Sequence, residues 1–179
     1  MKIRWLSSCL AFMTVLFVSS NAQASELKVG DVAPAFELVD QHGKTISLAS
    51  YSGQWIVLYF YPKNDTPGCT TEACSFRDHI NQLITQQAIV LGVSVDSEAS
   101  HKAFAEKYKL PFSLLADQKG LVAGRYGSLL DLKVVKYAKR HSFIIDPQGK
   151  IAKIYRQVDP DTHVQEVLSD LKKLQRLRS

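Results

Sequence analysis

Residues 55–78 read "WIVLYFYPKNDTPGCTTEACSFRD", and the fold is decided there. "WIVLYFYP", Trp55 to Pro62, is a continuous apolar, aromatic and β-branched run, the pattern of a central strand buried on both faces. A turn-like Thr66-Pro67-Gly68 follows, and from Thr70 to about Gln87 the residues suit a helix. A buried strand therefore hands over to a helix, with Cys69 at the helix start and Cys74 a turn and a half further in. Open α/β sheets form their sites at the carboxyl ends of strands. The position alone points to function.

The flanking sequence builds the rest of the sheet. "FELVDQHGKTISL" reads as two short strands around a His-Gly turn, and "AIVLGVSVD" as a second buried strand. "SEASHKAFAEKYKL" is a helix opened by Ser97 or a neighbour as cap. "FSLLAD" is a strand, followed by a short helix near Leu121 to Tyr126. "HSFIIDPQGKIAKIYR" is a hairpin turning on Asp146-Pro147-Gln148-Gly149, and "DTHVQEVLSDLKKLQRL" closes the chain as an amphipathic helix. Alternating strands and helices with a terminal hairpin and helix predict an α/β fold, a central mixed sheet flanked by helices. No role is assigned to residues 127–139.

The first 24 residues belong to targeting. Lys2 and Arg4 precede the apolar run "CLAFMTVLFV", and "NAQA" ends in small-x-small, the order of a secretory signal peptide cleaved after Ala24. The run is too short to span a bilayer, and Cys9 precedes it rather than following it, unlike a lipid-attachment cysteine. Removing residues 1–24 from the 179 leaves 155, a single domain over 25–179. Lys2 and Arg4 leave and no acid does, so the net charge falls from +5 to +3. The bases of "LKKLQRLRS" suit a solvated helix C-terminus, not a nucleic-acid or membrane patch. Only Cys69 and Cys74 remain, and an oxidising compartment favours some pairing between them.

Helix geometry opposes that pairing. Five positions along a helix separate Cα atoms by roughly 8.7 Å, beyond the roughly 4.4–6.8 Å that a disulfide spans. The bond forms only if the helix opens. This suits a cycle in which Cys69, at the helix N-terminus where backbone amides and the dipole favour a thiolate, reacts with an oxidant first. The resulting sulfenic acid then condenses with Cys74, packed and less reactive, once the segment unwinds. Competing readings are a structural disulfide, which would keep the helix permanently broken for modest stabilisation, and a copper- or zinc-binding thioredoxin-like envelope protein using His79. Metal sites usually show closer cysteines, and His79 is expected on the solvated side of the helix.

The residues "FYPKNDTPGCTTEACSFRD" closely resemble the peroxiredoxins, in particular the bacterioferritin-comigratory or Q type. The family's Pro-x-x-x-Thr-x-x-Cys signature is met by Pro62, Thr66 and Cys69, its resolving cysteine by Cys74, and its active-site arginine by Arg140 in "KRHSFIID". The resemblance also covers "GDVAPAFEL", "VLGVSVDS" and "IDPQGKI" and is poorest between Gly127 and Lys139. It implies a thioredoxin-like fold and thiol peroxidase activity on hydrogen peroxide and organic hydroperoxides, through a Cys69–Cys74 disulfide reset by a thioredoxin-like dithiol donor. No metal, haem or nucleotide is implied. A monomer in the periplasm is expected after export.

In general, lowering a thiol pKa from about 8.5 to about 6 raises the thiolate fraction at neutral pH roughly thirty-fold, while lost nucleophilicity gives back roughly ten-fold. Rate must therefore come from stabilising charge as the O–O bond breaks. The Arg140 fork suits donation to the sulfur and a peroxide oxygen together. The Thr66 hydroxyl suits donation to one peroxide oxygen and acceptance from the other. Gly68 and Cys69 can add amides, and Pro62 shields the thiolate. Glu72 is family-like, without a derivable role.

Overall fold

The structure, a computed structural model, describes residues 26–177. The expected signal peptide and its cleavage site lie outside those residues. Within them the chain runs β1 Glu37–Val39, β2 Thr45–Ser47, a 3-10 turn Leu48–Tyr51, β3 Trp55–Phe60, α1 Pro67–Asp78, α2 Ile80–Thr85 and β4 Ala88–Ser94. It continues with α3 Glu98–Tyr108, β5 Ser113–Ala116, α4 Leu121–Arg125, β6 Leu129–Asp131, β7 Lys136–Ala138, β8 His141–Ile145, β9 Ile151–Tyr155 and α5 His163–Arg176.

The central sheet has the order β5-β4-β3-β8-β9. β3 pairs parallel to β4 and antiparallel to β8, so the mixed sheet expected from the sequence is present. All six residues of β3 are buried, because its two sides serve two cores. Val57 and Tyr59 point toward α1, α2, α3 and α5, meeting Phe76, Leu83, Phe104 and Val167. Ile56, Leu58 and Phe60 point the other way, toward Val122, Tyr126 and Phe143. That alternation is the period of two of a pleated strand. It explains why the run shows no polar interruption. Gly92 in β4 is required by the first of these cores, since a Cβ there would lie 2.7 Å from the Tyr59 hydroxyl.

Two features differ from the sequence reading. The helix expected over 70–87 begins at Pro67, which lacks an N–H and suits a first helical position, and it is divided at His79. There the imidazole Nδ1 donates to Ser75 O at 2.8 Å, so the side chain competes for a carbonyl at the helix end. His79 is accordingly a half-buried helix-end residue, not one on a solvated face. Residues 127–139 contain the antiparallel hairpin β6–β7.

Candidate active site

The end of β3 delivers the chain into a turn held from the far side by α3. Asn64 donates its backbone N–H to Asp96 Oδ2 at 2.9 Å and its side-chain amide to Ser100 Oγ at 2.8 Å. Tyr61 Oη donates to Asn64 Oδ1 at 2.8 Å. Asp65 adopts the left-handed conformation, with φ of 58°, and its carboxylate meets Lys107 Nζ at 2.7 Å. A non-glycine residue tolerates that conformation best when it is Asn or Asp. So fixed, the turn launches α1 with Thr66 as N-cap.

Cys69 is the third residue of α1 and is 1% exposed. The first helical bond at this end runs from Thr70 N–H to Thr66 O at 2.9 Å. Gly68 and Cys69 precede it, and amides at those positions lack an intrahelical acceptor. Arg140, between β7 and β8, brings Nη2 to 3.2 Å from Cys69 Sγ. Its Nη1 donates to Glu72 Oε2 at 2.5 Å, and the other Glu72 oxygen lies 2.9 Å from His163 Nδ1. Burial opposes the Arg140 charge, but Glu72 and Cys69 more than offset it and hold the guanidinium even more firmly protonated than usual. The approach needs a small residue before the cysteine, for a Cβ on Gly68 would meet Arg140 Nη2 at 3.2 Å and Pro160 Cγ at 3.3 Å.

The structure thus brings Cys69 and Arg140 together as the sequence anticipates, with one change of detail. The guanidinium fork spans the sulfur and Glu72, leaving the second N–H on Nη2 for a ligand. Thr66 and Pro62 are half-buried in the turn. The Thr66 hydroxyl donates to Lys63 O at 3.0 Å, so its lone pairs are free to accept while its proton is engaged. Cys74 lies on α1, and both cysteines are free thiols. Its side chain is half-buried beside Arg77, less packed than expected. The reason is helical phase. Cys69, Glu72, Ala73 and Phe76 form the buried stripe, and a residue five positions on from Cys69 is rotated by about 140° from it.

Among the described residues no group of three or more His, Cys, Asp or Glu side chains is placed to hold a metal ion. The His79 Nε2 meets Gln165 Nε2 at 2.7 Å, so the metal-binding alternative has no support in the arrangement. Glu72 and His163 are what the sequence reading missed. Glu72 carried only a family likeness, and His163 stood inside the terminal amphipathic segment with nothing local to single it out.

Comparison with known proteins agrees with this geometry. The AhpC/TSA family profile matches residues 29–154. The chain is 43% identical over 152 residues to peroxiredoxin Bcp of Bacillus subtilis, covering 82% of this chain and 96% of that protein. It is 41% identical over 157 residues to chloroplastic peroxiredoxin Q of Triticum aestivum, covering 87% and 72%. The crystal structure of peroxidoxin BcpB from Mycobacterium tuberculosis superposes with a TM-score of 0.78 at 34% identity, covering 83% of this chain and 98% of that one. The mixed, helix-flanked sheet is accordingly the thioredoxin-like fold expected from the sequence, and the chain belongs to the AhpC/TSA family, within which it is a peroxiredoxin of the Bcp or Q type.

Proposed function

We propose that this thiol peroxidase uses Cys69 as the attacking thiolate, Cys74 as its resolving partner, and Arg140, Thr66 and Pro62 as the surrounding catalytic set. The carrying observation is the 3.2 Å contact of Arg140 Nη2 with a buried Cys69 sulfur at a helix N-terminus. Hydrogen peroxide or an organic hydroperoxide enters with its terminal oxygen toward the sulfur. The thiolate forms an S–O bond, the O–O bond breaks, and the departing oxygen takes a proton and leaves as water or alcohol. Arg140 and the amides of Gly68 and Cys69 stabilise the charge that develops on that oxygen. Thr66 accepts from the peroxide O–H, and Pro62 keeps bulk water from the thiolate.

The product at Cys69 is a sulfenic acid. Helix α1 then opens, Cys74 attacks the Cys69 sulfur, an S–S bond replaces the S–O bond, and water departs. A thioredoxin-like dithiol supplies two electrons by exchange and restores both thiols. The basic start, apolar run and "AQA" support export, with Ser25 as the first residue of a monomeric periplasmic protein.

Peroxide consumption with a dithiol reductant tests the assignment. Cys69→Ser should abolish turnover, whereas Cys74→Ser should react once and accumulate a sulfenic acid that a dimedone-type probe traps. If Cys74→Ser reacted no better than Cys69→Ser, the two roles would be wrongly assigned. Intact mass of protein from the envelope fraction tests export, and retention of residues 1–24 would refute it.

A further inference from the structure

Behind Arg140 the polar chain continues into the core. Glu72 and His163 have fully buried side chains, one on the second turn of α1 and the other at the first residue of α5. The imidazole is flanked edge-on by Phe76, at a centroid distance of 5.6 Å, and by Tyr155 at 5.3 Å. Its Nδ1 stands 2.9 Å from Glu72 Oε1, at ion-pair distance though out of line for a hydrogen bond, and its Nε2 has no hydrogen-bond partner. A buried carboxylate is costly unless its oxygens are matched. The next inward residues of α5, Val164, Val167, Leu168 and Leu171, are all apolar. A histidine in that row needs a reason.

The contact itself supplies one. A bare Nδ1 would set an electron-rich nitrogen 2.9 Å from a buried carboxylate oxygen with nothing to offset the repulsion, so the ring proton belongs on Nδ1, where it attracts Oε1 although the approach is bent. Glu72 Oε1 is thereby held from the core side while Oε2 holds Arg140 from the other. Arg140 keeps 19% of its side chain exposed, so the guanidinium has solvent to swing into if the carboxylate turns. We infer that His163 is a positioning residue for peroxide reduction, fixing through Glu72 the guanidinium that faces the Cys69 sulfur. The inference rests on the reading of Cys69 as the attacking thiolate.

Two substitutions separate this role from packing. His163→Phe keeps the ring volume between Phe76 and Tyr155 but removes the donor. His163→Asn loses volume but presents an amide near the place of Nδ1. Single-turnover oxidation of the reduced, purified protein by hydrogen peroxide should slow by about ten-fold or more in His163→Phe and stay within about three-fold of the parent in His163→Asn. His163→Phe should add nothing in a Glu72→Gln background, because both act along one chain. A purely structural ring would give the reverse order, Phe faster than Asn, and that order or equal losses would overturn the inference. Nitrogen NMR of the reduced parent protein is independent of any variant's folding. It should show the His163 proton on Nδ1, and a bare Nδ1 would equally overturn it. Full peroxide consumption by Cys69→Ser would instead remove the underlying reading, a result distinguishable from any ordering of the His163 variants.

Discussion

The turn that carries the site depends on a histidine that must stay neutral. His101 is fully buried, with Nε2 3.2 Å from Leu115 O and Nδ1 3.2 Å from both Tyr61 Oη and Asn64 Nδ2. A carbonyl accepts only, so the single ring proton belongs on Nε2 and the bare Nδ1 accepts from Asn64. Burial pushes the imidazole down from 6.5 to about 4, against smaller opposing pulls from Asp96 and the Leu115 carbonyl. The unfolded chain then binds a proton that the native state refuses between those two values. Stability from this group is complete above about pH 6.5 and is lost as pH falls toward 4. Integrating over the shift gives a loss of about 2 kcal/mol by pH 5 and about 3 kcal/mol by pH 4. His141, also pushed to about 4 by burial first and then by Arg156 and Lys139, adds a similar dependence. Urea unfolding in pH steps from 7.5 to 4.5 measures the total. His101→Leu should be less stable at neutral pH by about 1–3 kcal/mol for the partners it strands. Its slope between pH 4.5 and 6 should be shallower than the parent's by about 1.2 kcal/mol per pH unit, a little under one proton's worth. Identical slopes would refute the neutral, proton-refusing His101.

Three further outcomes are expected. Arg140→Lys keeps the charge but loses the fork, so the second-order oxidation rate should fall by about ten-fold or more; a loss fully accounted for by the thiolate fraction in an absorbance titration would remove the transition-state role. Gly68→Ala should push the guanidinium by a few tenths of an ångström and slow oxidation several-fold with little change in thermal unfolding, and an unchanged rate would show that the 3.2 Å approach does not matter. Amide exchange from Thr70 to Phe76 should be slow in reduced protein and fast after Cys69–Cys74 oxidation; equal protection in both states would mean that the cysteines start within bonding reach.

Local patterns carried most of the fold. β3, β4, β8 and the apolar stripe of α5 are periodic or continuously apolar, and burial on known faces follows from them. The break at His79 was not legible, because one side-chain bond to a carbonyl four residues back leaves no mark on hydrophobic periodicity. The β6–β7 hairpin was unreadable for a different reason. Leu130, Leu132, Val134 and Val135 are exposed while Leu129 and Ala138 pack inward, so apolar character there does not mark one buried face. At the site, Cys69 was marked by its position after a buried strand, but Arg140 was identifiable only through family resemblance. The Glu72–His163 contact joins α1 to the last helix of the chain. Nothing local in either segment announces a partner so distant in sequence.

The proposed cycle asks one helix both to bind a peroxide and to come apart, and the start of α1 suits both demands. Thr66 makes no side-chain capping bond, since its hydroxyl donates to Lys63 O, and no acidic residue occupies the first turn. Forgoing a good N-cap costs a helix about 1 kcal/mol. An aspartate here would restore that stability, but its charge would occupy the amides of Gly68 and Cys69 and oppose an incoming thiolate or alkoxide. The uncapped end therefore leaves donors for the substrate and lowers the work of opening. What holds the reduced helix shut is tertiary: Ala73 and Phe76 in the core, and Glu72 between Arg140 and His163. Unwinding as far as Cys74 must withdraw Glu72 from both partners. The contact that orients Arg140 for oxidation thus also resists the opening that follows it. In the proposed cycle, attack on peroxide is therefore favoured while α1 is closed, and resolution by Cys74 waits until the same carboxylate has let go.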